Sequence, residues 1–284
     1  MRLRDAAATL SPGAQRIARF IAANRAVALG ASAATLAERT GTSDATVVRT
    51  VQALGFDGMA ELKRALADTL AATPSTPAEG MRRTLAATGS NDVDTAIDHV
   101  LATQVEAVEA LANAETRAKL RQAVIALHPA RRIFVFGMGP TAALASYAAA
   151  LLARTGRQSR ALNAAGLALA DQLLDLDAQD ALLVLAYGKS YAEVRALFAE
   201  GKRLSIPIIL LSDSLDRSLA KSAEVVVPAR RGRARQFALH GATFVALEAL
   251  VLGLASLNPD HTLASLDRLN DLRAIIAGGR QDVG

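Results

Sequence analysis

Residues 36–54 read LAERTGTSDATVVRTVQAL, a stretch in which a small residue, a glycine and an aliphatic residue stand at characteristic intervals. Ala37 allows a second helix to approach closely, and Gly41 supplies the positive φ angle that a tight turn needs. The second helix has an apolar face, formed by Val47, Val48, Val51 and Leu54. Val47 closes a small core between the two helices, and Ser43 caps the second one. The spacing predicts a helix-turn-helix, with an ordinary three-helix bundle containing a tight turn as the alternative.

The second helix of such a unit can lie in the major groove of DNA, with its N-terminal residues at base edges and its N-terminus at a phosphate. Within residues 1–70, nine basic side chains stand against six acidic ones, a net charge of +3 that would neutralise few phosphates per copy. Tight binding would therefore need paired copies on half-sites about 34–36 Å apart. The predicted DNA-contacting residues are Ser43, Asp44, Thr46, Arg49, Thr50 and Lys63.

The composition of the 284-residue chain excludes several classes of protein. With 51% hydrophobic and 21% charged residues it can form packed cores, and its length suggests two domains. The absence of Cys excludes disulfide scaffolds, Cys-ligated zinc, iron–sulfur clusters and thiol nucleophiles. An aromatic content of 4%, without Trp, argues against nucleic-acid binding by base stacking.

The N-terminus lacks the long apolar stretch of a signal peptide. The most apolar segment, Phe237–Leu257, contains His240 and Glu248, and a carboxylate inside a bilayer would cost about 2.5–3.5 kcal/mol. We therefore predict a buried core or interface helix there, no membrane partner, and a cytoplasmic location.

The segment Thr73–Pro77 places two prolines among small polar residues, which predicts a linker because proline removes a backbone donor and breaks helices. The predicted domains are a helical DNA-binding domain over 1–72, a linker over 73–90, and an α/β domain with leading helices over 91–284.

Beyond residue 131, short apolar runs alternate with helical patterns, which predicts a parallel sheet flanked by helices. The predicted strands are 132–136, 157–162, 181–186, 206–211 and 224–228. The predicted helices of this region are 91–113, 115–127, 141–154, 167–174, 191–204, 214–221, 236–257 and 263–276.

Two stretches, SDATVVR at 43–49 and LGFDGMAELK at 54–63, resemble the N-terminal domain of the RpiR family of bacterial transcription regulators. That family joins such a domain to a C-terminal sugar isomerase (SIS) domain, which binds phosphosugars or related metabolites. The resemblance spans nearly the whole chain. It implies an all-α helix-turn-helix bundle followed by an α/β SIS domain.

The turn Gly137–Thr141 ends a predicted strand and opens a helix, an arrangement whose backbone N–H groups favour an anion. Gly137, Gly139 and the Thr141 hydroxyl are candidate ligand-binding groups. A dinucleotide is disfavoured because Ala142 replaces the third glycine of its fingerprint and no acidic residue follows at the expected strand end. The Gly-x-Gly-x-Thr form resembles the first phosphosugar loop of SIS domains.

A second loop contributes Gly188, Lys189 and Ser190 as candidate ligand-binding residues. In many SIS domains this place reads Ser-x-Ser-Gly-x-Thr. This chain departs from that pattern, so either Lys189 replaces several neutral donors as a point charge or the ligand is not a phosphosugar.

Further candidates lie at the last strands. Ser212 either faces the pocket or caps the following helix, and His240 lies at a helix start where SIS enzymes can place pocket residues. The run Arg230–Arg235 could contact an anionic ligand, a partner subunit or DNA, or it could be a solvated loop.

An aldose–ketose isomerase needs a general base, for which His240, Glu193 and Glu224 are the candidates. They form no recognisable acid–base pair, and the four His residues form no metal-binding pattern. We therefore predict no catalytic residue, no metal and no cofactor. The predicted function is a homodimeric or homotetrameric regulator whose affinity for a double-stranded DNA operator is set by a phosphosugar or other small anionic metabolite. The alternative is a phosphosugar isomerase with an appended helical domain.

Overall fold

A computed structural model describes residues 10–63, 66, 76–89, 92–188, 190–213 and 217–278. The chain divides into two compact units, Met1–Pro74 and Ser75–Gly284.

The N-terminal unit is helical. Its helices are α1 (Pro12–Ala23), α2 (Arg25–Gly30), α3 (Ala33–Thr40) and α4 (Asp44–Ala53), and residues 59–63 are also helical. The Ser11 and Ser43 side chains cap α1 and α4, and Gly41 ends α3 with a φ of 61°. The predicted helix-turn-helix is confirmed, whereas the short helix α2 was not predicted.

The core of this unit lies between α1, α3 and α4. Ala37 and Val47 are buried in it, as the spacing predicted, together with Ile17, Leu36 and Val51. Small and branched side chains on facing helices therefore hold α4 against α3 at close range.

The C-terminal unit is an α/β domain. Its helices before the sheet are α5 (Pro77–Thr88), α6 (Val93–Ala112) and α7 (Ala114–Leu127). The sheet region contains β1 (Arg132–Gly137), α8 (Pro140–Arg154), β2 (Gln158–Leu162), α9 (Leu167–Leu173), β3 (Ala181–Leu185), α10 (Ala192–Leu204), β4 (Ile208–Ser212), α11 (Arg217–Ala220), β5 (Val225–Pro228), α12 (Gly241–Ser256) and α13 (Pro259–Ile276).

The described strands form one parallel sheet in the order β2-β1-β3-β4-β5. Successive side chains of a strand point to opposite faces, so Ile133 and Val135 pack on one face of the sheet while Phe134 and Phe136 pack on the other. The first face is covered by α6, α7, α8 and α12, and the second by α9 and α10. The predicted parallel sheet between helices is confirmed.

Part of the predicted linker is wrong, because residues 77–88 form helix α5. Thr76 and Glu79 build a reciprocal capping box: the Glu79 N–H donates to Thr76 Oγ1 at 3.2 Å, and the Thr76 N–H donates to Glu79 Oε2 at 3.0 Å. Pro77 takes the first helical position, where a missing N–H costs nothing. The proline interpreted as a helix breaker therefore starts a helix.

The helix predicted over 236–257 starts five residues later than expected, at Gly241. The N–H groups of the preceding residues have partners elsewhere: that of Phe237 donates to Thr84 Oγ1 at 2.8 Å, and that of Leu239 donates to the Arg231 carbonyl at 3.0 Å. These contacts between distant parts of the chain keep residues 236–240 out of the helix.

Among the described residues, no single helix has both the length and the apolar character to cross a bilayer. The pair α12 and α13, bent by 108°, meets that criterion only when the two are taken together.

An ion pair joins the sheet to the loop that precedes β3. The side chain of Asp180 has no exposed area, and its carboxylate accepts hydrogen bonds from Arg132 at 2.9 and 3.2 Å. We expect Asp180→Asn to lower the free energy of unfolding by about 1–2 kcal/mol, because it leaves Arg132 without its buried counter-charge. Denaturant titration of the full chain measures this loss.

The matched control is Glu200→Gln, which breaks the exposed Arg203–Glu200 pair within one helix turn. That change should cost at most about 0.5 kcal/mol. Equal stability of the two variants would show that the Arg132–Asp180 pair contributes nothing to the sheet.

Candidate functional site

Helix α4 presents an exposed face that begins at its N-terminus. Ser43, Asp44 and Arg49 lie on this face, as predicted. The Ser43 hydroxyl is 2.8 Å from Thr46 Oγ1 and accepts from the Thr46 N–H at 3.3 Å, so Thr46 serves the cap and is half-buried. Lys63 is half-buried in the helical residues that follow α4.

Thr50 does not lie on the exposed face, which contradicts the prediction that it points outward. It is 2% exposed, and its hydroxyl donates to the Thr46 carbonyl at 2.7 Å. Position 50 is three residues from Val47 and next to Val51, on the buried side of α4. Conversely, Val48 was placed in the core from its apolar character but is 38% exposed. Val48 and Gln52 are face residues that the sequence analysis missed.

We expect Thr50→Val to leave DNA affinity within about twofold of the parent, because the substitution removes only a buried hydroxyl that is bonded within α4 and no outward-facing group. Fluorescence anisotropy with a selected duplex measures this. A loss of DNA affinity of about tenfold or more, comparable to the loss when a base-contacting side chain is truncated to Ala, would show that Thr50 contacts DNA.

A second candidate site lies at the carboxyl edge of the sheet. The strand order β2-β1-β3-β4-β5 has a topological switch point between β1 and β3, because β2 lies on one side of β1 and the later strands lie on the other. Ligands of open α/β sheets bind in the crevice outside the carboxyl ends of the strands at such a point. The loops 137–141 and 187–190 follow these two strands and therefore border the same crevice.

The first loop is closely packed. A Cβ atom on Gly137 would overlap the backbone carbonyl of Thr141, so this position accepts no side chain. Gly139 is the residue before α8, and no side chain caps that helix. The Thr141 hydroxyl is buried and already bonded, since it accepts from the Met138 N–H at 3.0 Å and donates to the Met138 carbonyl at 2.9 Å. Thr141 therefore shapes the loop, and its hydroxyl is not free to meet a ligand as predicted.

The second loop carries a buried polar atom without a partner. Gly188 follows Tyr187 at the end of β3, and Lys189 lies outside the described residues. The Oγ atom of Ser190 is buried and, in the described part of the chain, has no hydrogen-bond partner. A buried hydroxyl in this state costs about 1–3 kcal/mol, which a bound ligand would offset.

Tyr187 links this loop to α12 and to the segment after β5. Its hydroxyl is 2.7 Å from Thr243 Oγ1, and its ring makes an edge contact with His240 at 5.8 Å between centroids. The guanidinium of Arg231 lies over the same ring, 4.4 Å from its centroid. Burial raises the pKa of Tyr187, so its hydroxyl is neutral.

Arg231 brings a cation to the crevice. Its Nε atom is 3.2 Å from Asp213 Oδ2, and its backbone N–H donates to the same oxygen at 3.1 Å. Burial and the nearby Arg231 charge lower the pKa of His240. The Nδ1 atom of His240 is buried and, within the described residues, has no partner. Ser212 is buried at the end of β4, beside Asp213.

Tyr187, Asp213 and Arg231 were not predicted as site residues. The Arg230–Arg235 run was the one available signal, but four arginines in it gave no indication of which would reach the crevice. The contacts of Arg231 decide that question.

One of the two carboxylates considered as general bases is held by a backbone hydrogen bond, and the other lies at the opposite edge of the sheet. Glu193 accepts from the Gly166 N–H at 3.0 Å, which lowers its pKa and commits it to the loop before α9. Glu224 precedes β5 and thus lies at the amino edge of the parallel sheet, opposite the crevice.

Comparison with known proteins agrees with the two units. Residues 1–73 match the family described as the helix-turn-helix domain, rpiR family, and residues 126–257 match the SIS domain. The first unit therefore carries a helix-turn-helix domain of the rpiR family, and the second carries an SIS domain, the combination that the sequence resemblance implied.

One curated relative of the chain is described as a regulator. The Escherichia coli (strain K12) protein YfhH, described as an uncharacterized HTH-type transcriptional regulator, is 26% identical over 162 residues, which cover 57% of each chain. The chain thus matches little more than half the length of that curated relative.

Two solved structures share the fold. The NanR protein of Vibrio vulnificus, complexed with ManNAc-6P, is 22% identical with a TM-score of 0.56 and covers 97% of both chains. The sugar isomerase domain of an RpiR transcription factor from Sphaerobacter thermophilus is 23% identical with a TM-score of 0.54, over 61% of this chain and 96% of that one.

Proposed function

We propose that this protein is a transcription regulator that binds an operator in duplex DNA through α4 and whose affinity for DNA is set by a small anionic metabolite, most simply a phosphosugar. The metabolite binds at the carboxyl edge of the sheet. The protein acts as a homodimer or homotetramer in the cytoplasm, without catalysis and without a cofactor. The observation that carries this proposal is a pair of buried polar atoms that have no partner among the described residues, Ser190 Oγ and His240 Nδ1, together with the cation of Arg231 over the Tyr187 ring.

The exposed start of α4 supports the DNA-binding part. The helix N-terminus and the Ser43 cap suit a phosphate, while Arg49 and Gln52 project from the following turns. Arg16 reinforces the turn before α4 by donating to the carbonyls of Thr40 and Gly41 at 3.3 and 3.5 Å. A braced turn holds the α4 face in one orientation, which reduces the entropy lost on binding.

The crevice supports the effector-binding part. Backbone groups of Gly137, Gly139 and Gly188 approach it without side chains, and Arg231 supplies positive charge. Guanidinium groups bind phosphate and carboxylate through paired N–H donors. Lys189 would add a second cation, and we propose that Ser190, Ser212 and His240 contact the polar groups of the metabolite.

The alternative, a phosphosugar isomerase, receives less support from the geometry. Proton transfer at a sugar carbon needs a positioned base. Glu193 is held by the Gly166 N–H and Glu224 precedes β5 at the amino edge of the sheet, which leaves His240 as the base candidate in contact with the Tyr187 ring. Fold alone does not establish the chemistry, since SIS-type sheets serve both enzymes and regulators.

Selection of duplexes from a random-sequence pool, followed by fluorescence anisotropy, tests the proposal. We expect specific, salt-dependent binding, and a change in affinity when ManNAc-6P, glucose 6-phosphate or another phosphosugar is added. The same compounds should raise the melting temperature, because a ligand of the native state stabilises it. Turnover of a sugar phosphate without any DNA binding would favour the isomerase instead.

A further inference from the structure

The segment between β5 and α12 joins the crevice to the helices that precede the sheet. We name residues 230–240 the arginine loop. The loop is closed on itself, because the Leu239 N–H donates to the Arg231 carbonyl at 3.0 Å and the Gln236 N–H donates to the Arg233 carbonyl at 3.2 Å. Loops whose ends lie close together in this way are compact.

The start of the arginine loop lies in the crevice. Both the side chain and the backbone N–H of Arg231 bind Asp213, and the guanidinium covers the Tyr187 ring. One of its terminal nitrogens lies beside Gly188, 3.9 Å from where a Cβ would stand. Any group that takes the guanidinium away from Asp213 therefore also affects the backbone of the loop.

The rest of the arginine loop is bound to α6. Arg233 pairs with Glu106 at 2.6 Å, and the Gln236 side chain is 2.9 Å from His99 Nε2. Glycine at 232 leaves room for Thr103, which would be 3.2 Å from a Cβ there. Side chains of α6 thus follow the loop over most of its length.

The same loop is bound to α5. The Phe237 N–H donates to Thr84 Oγ1 at 2.8 Å, and Arg83 Nη1 donates to the Arg235 carbonyl at 3.3 Å. Gly80 faces the Gln236 carbonyl, with 3.0 Å to the position of a Cβ. Helices α5 and α6 are the first two elements after residue 74 in the chain, so they join the SIS domain to the N-terminal unit in sequence.

Unpartnered polar atoms occur on both sides of this loop. Within the described residues, buried side-chain atoms without a hydrogen-bond partner are Ser190 Oγ and His240 Nδ1 at the crevice, and Thr103 Oγ1 and Gln104 Oε1 on α6. Unsatisfied groups of this kind cost about 1–3 kcal/mol each. A shift of the arginine loop could therefore give hydrogen-bond partners to polar groups both at the crevice and on α6.

We propose that Arg231 exchanges Asp213 for the anionic group of the metabolite, and that the arginine loop transmits this exchange to α5 and α6. This inference rests on the proposed function and specifies how binding at the effector site changes the contacts of α5 and α6. A phosphomonoester carries about −1.5 to −2 charges and three acceptor oxygens, so it competes with the single carboxylate of Asp213 for the guanidinium. In this proposal the Arg231–Asp213 ion pair exists only in the metabolite-free protein. The metabolite can therefore shift the equilibrium between two arrangements of the arginine loop.

The test compares two variants that break the same ion pair from opposite sides. Asp213→Asn frees Arg231, whereas Arg231→Gln removes the anion-binding group itself. For binding of glucose 6-phosphate and inorganic phosphate, measured by calorimetry, we expect Asp213→Asn to tighten affinity and Arg231→Gln to weaken it, each by at least about fivefold. A purely structural role would weaken both.

For DNA binding in the absence of any phosphate compound, both variants should shift the affinity in the same direction, by about 5- to 150-fold, since both release the loop. Glu106→Gln in the Asp213→Asn background should reverse at least half of that shift on a logarithmic scale, because it removes the ion pair that connects the loop to α6. The control is Arg203→Gln, which breaks an ion pair on α10 away from the loop and should change neither measurement.

Additive effects of Asp213→Asn and Glu106→Gln on DNA affinity, or phosphate binding that is indifferent to Arg231→Gln, would overturn the inference while leaving the proposed function intact. Failure of the parent protein to bind any duplex would instead refute the proposed function. Melting curves of each variant show whether it is folded. Should Asp213→Asn not fold, Asp213→Ser takes its place in the same comparison.

Discussion

Arg49→Ala should weaken binding to the selected duplex by about 5- to 150-fold per half-site, which corresponds to about 1–3 kcal/mol. Arg49 lies on the exposed face of α4, and its Nε donates to the Ala45 carbonyl at 3.2 Å, which orients the guanidinium along the helix surface. In the described part of the chain no carboxylate pairs with it. Its charge is therefore available to DNA.

The salt dependence of binding separates the two roles that Arg49 can have. If it contacts a phosphate, the slope of log affinity against log salt should fall by about 1 per copy, with equal losses on specific and random duplexes. If it reads a base edge, the loss should be concentrated at one base pair of the selected sequence.

The matched control is Arg268→Ala on α13, an exposed arginine whose loss changes the net charge equally but lies outside the helix-turn-helix. It should change the affinity by less than about twofold, because long-range charge effects are screened at physiological salt. Binding by Arg49→Ala that matches the parent in both affinity and slope would show that α4 is not the DNA-reading helix.

Gly137→Ala should abolish the effect of phosphosugars on DNA affinity and lower the stability of the SIS domain by about 3 kcal/mol, the upper end of what overpacking costs. The new Cβ would overlap the Thr141 carbonyl, a backbone atom in the first turn of α8 that no rotamer change can move. The turn must open, which breaks the hydrogen bonds between the Thr141 hydroxyl and Met138. The backbone of the 137–141 loop at the crevice is then displaced.

Gly30→Ala provides the matched glycine-to-alanine control, because a Cβ there would meet nothing within 4 Å. Its stability should equal or exceed that of the parent, since alanine favours a helix over glycine by about 1 kcal/mol. A Gly137→Ala protein that still responds to phosphosugars as the parent does would remove the 137–141 loop from the effector site.

Sequence patterns were sufficient for the order of elements. Continuous apolar runs such as 181–186 are typical of strands covered on both faces, and the Ala37, Gly41 and Val47 spacing is typical of a close helix pair. Both depend on contacts within a few turns of the chain, so they can be interpreted locally. The interpretation was wrong where a local signal has two meanings: Pro77 breaks helices in general, yet it starts α5 here because Thr76 and Glu79 cap it.

The candidate site depended more on distant contacts. Side-chain direction on α4 placed Thr50 inside and Val48 outside, which residue type alone had reversed. Asp213 and Arg231 lie 18 residues apart, and Arg233 and Glu106 lie 127 apart, so no local pattern relates them. The hydrogen bond from the Phe237 N–H to Thr84, 153 residues away, also sets the start of α12.

The amino-acid sequence by itself determined the two units, their fold classes and the two loops that border the crevice, because periodicity, caps and glycine turns are properties of neighbouring residues. Only the tertiary structure decided which of four clustered arginines enters the crevice and which helices the arginine loop contacts. Those choices follow from packing between segments that lie 18 to more than a hundred residues apart, and the free energy that selects them is spread over contacts that exist only once the sheet has formed.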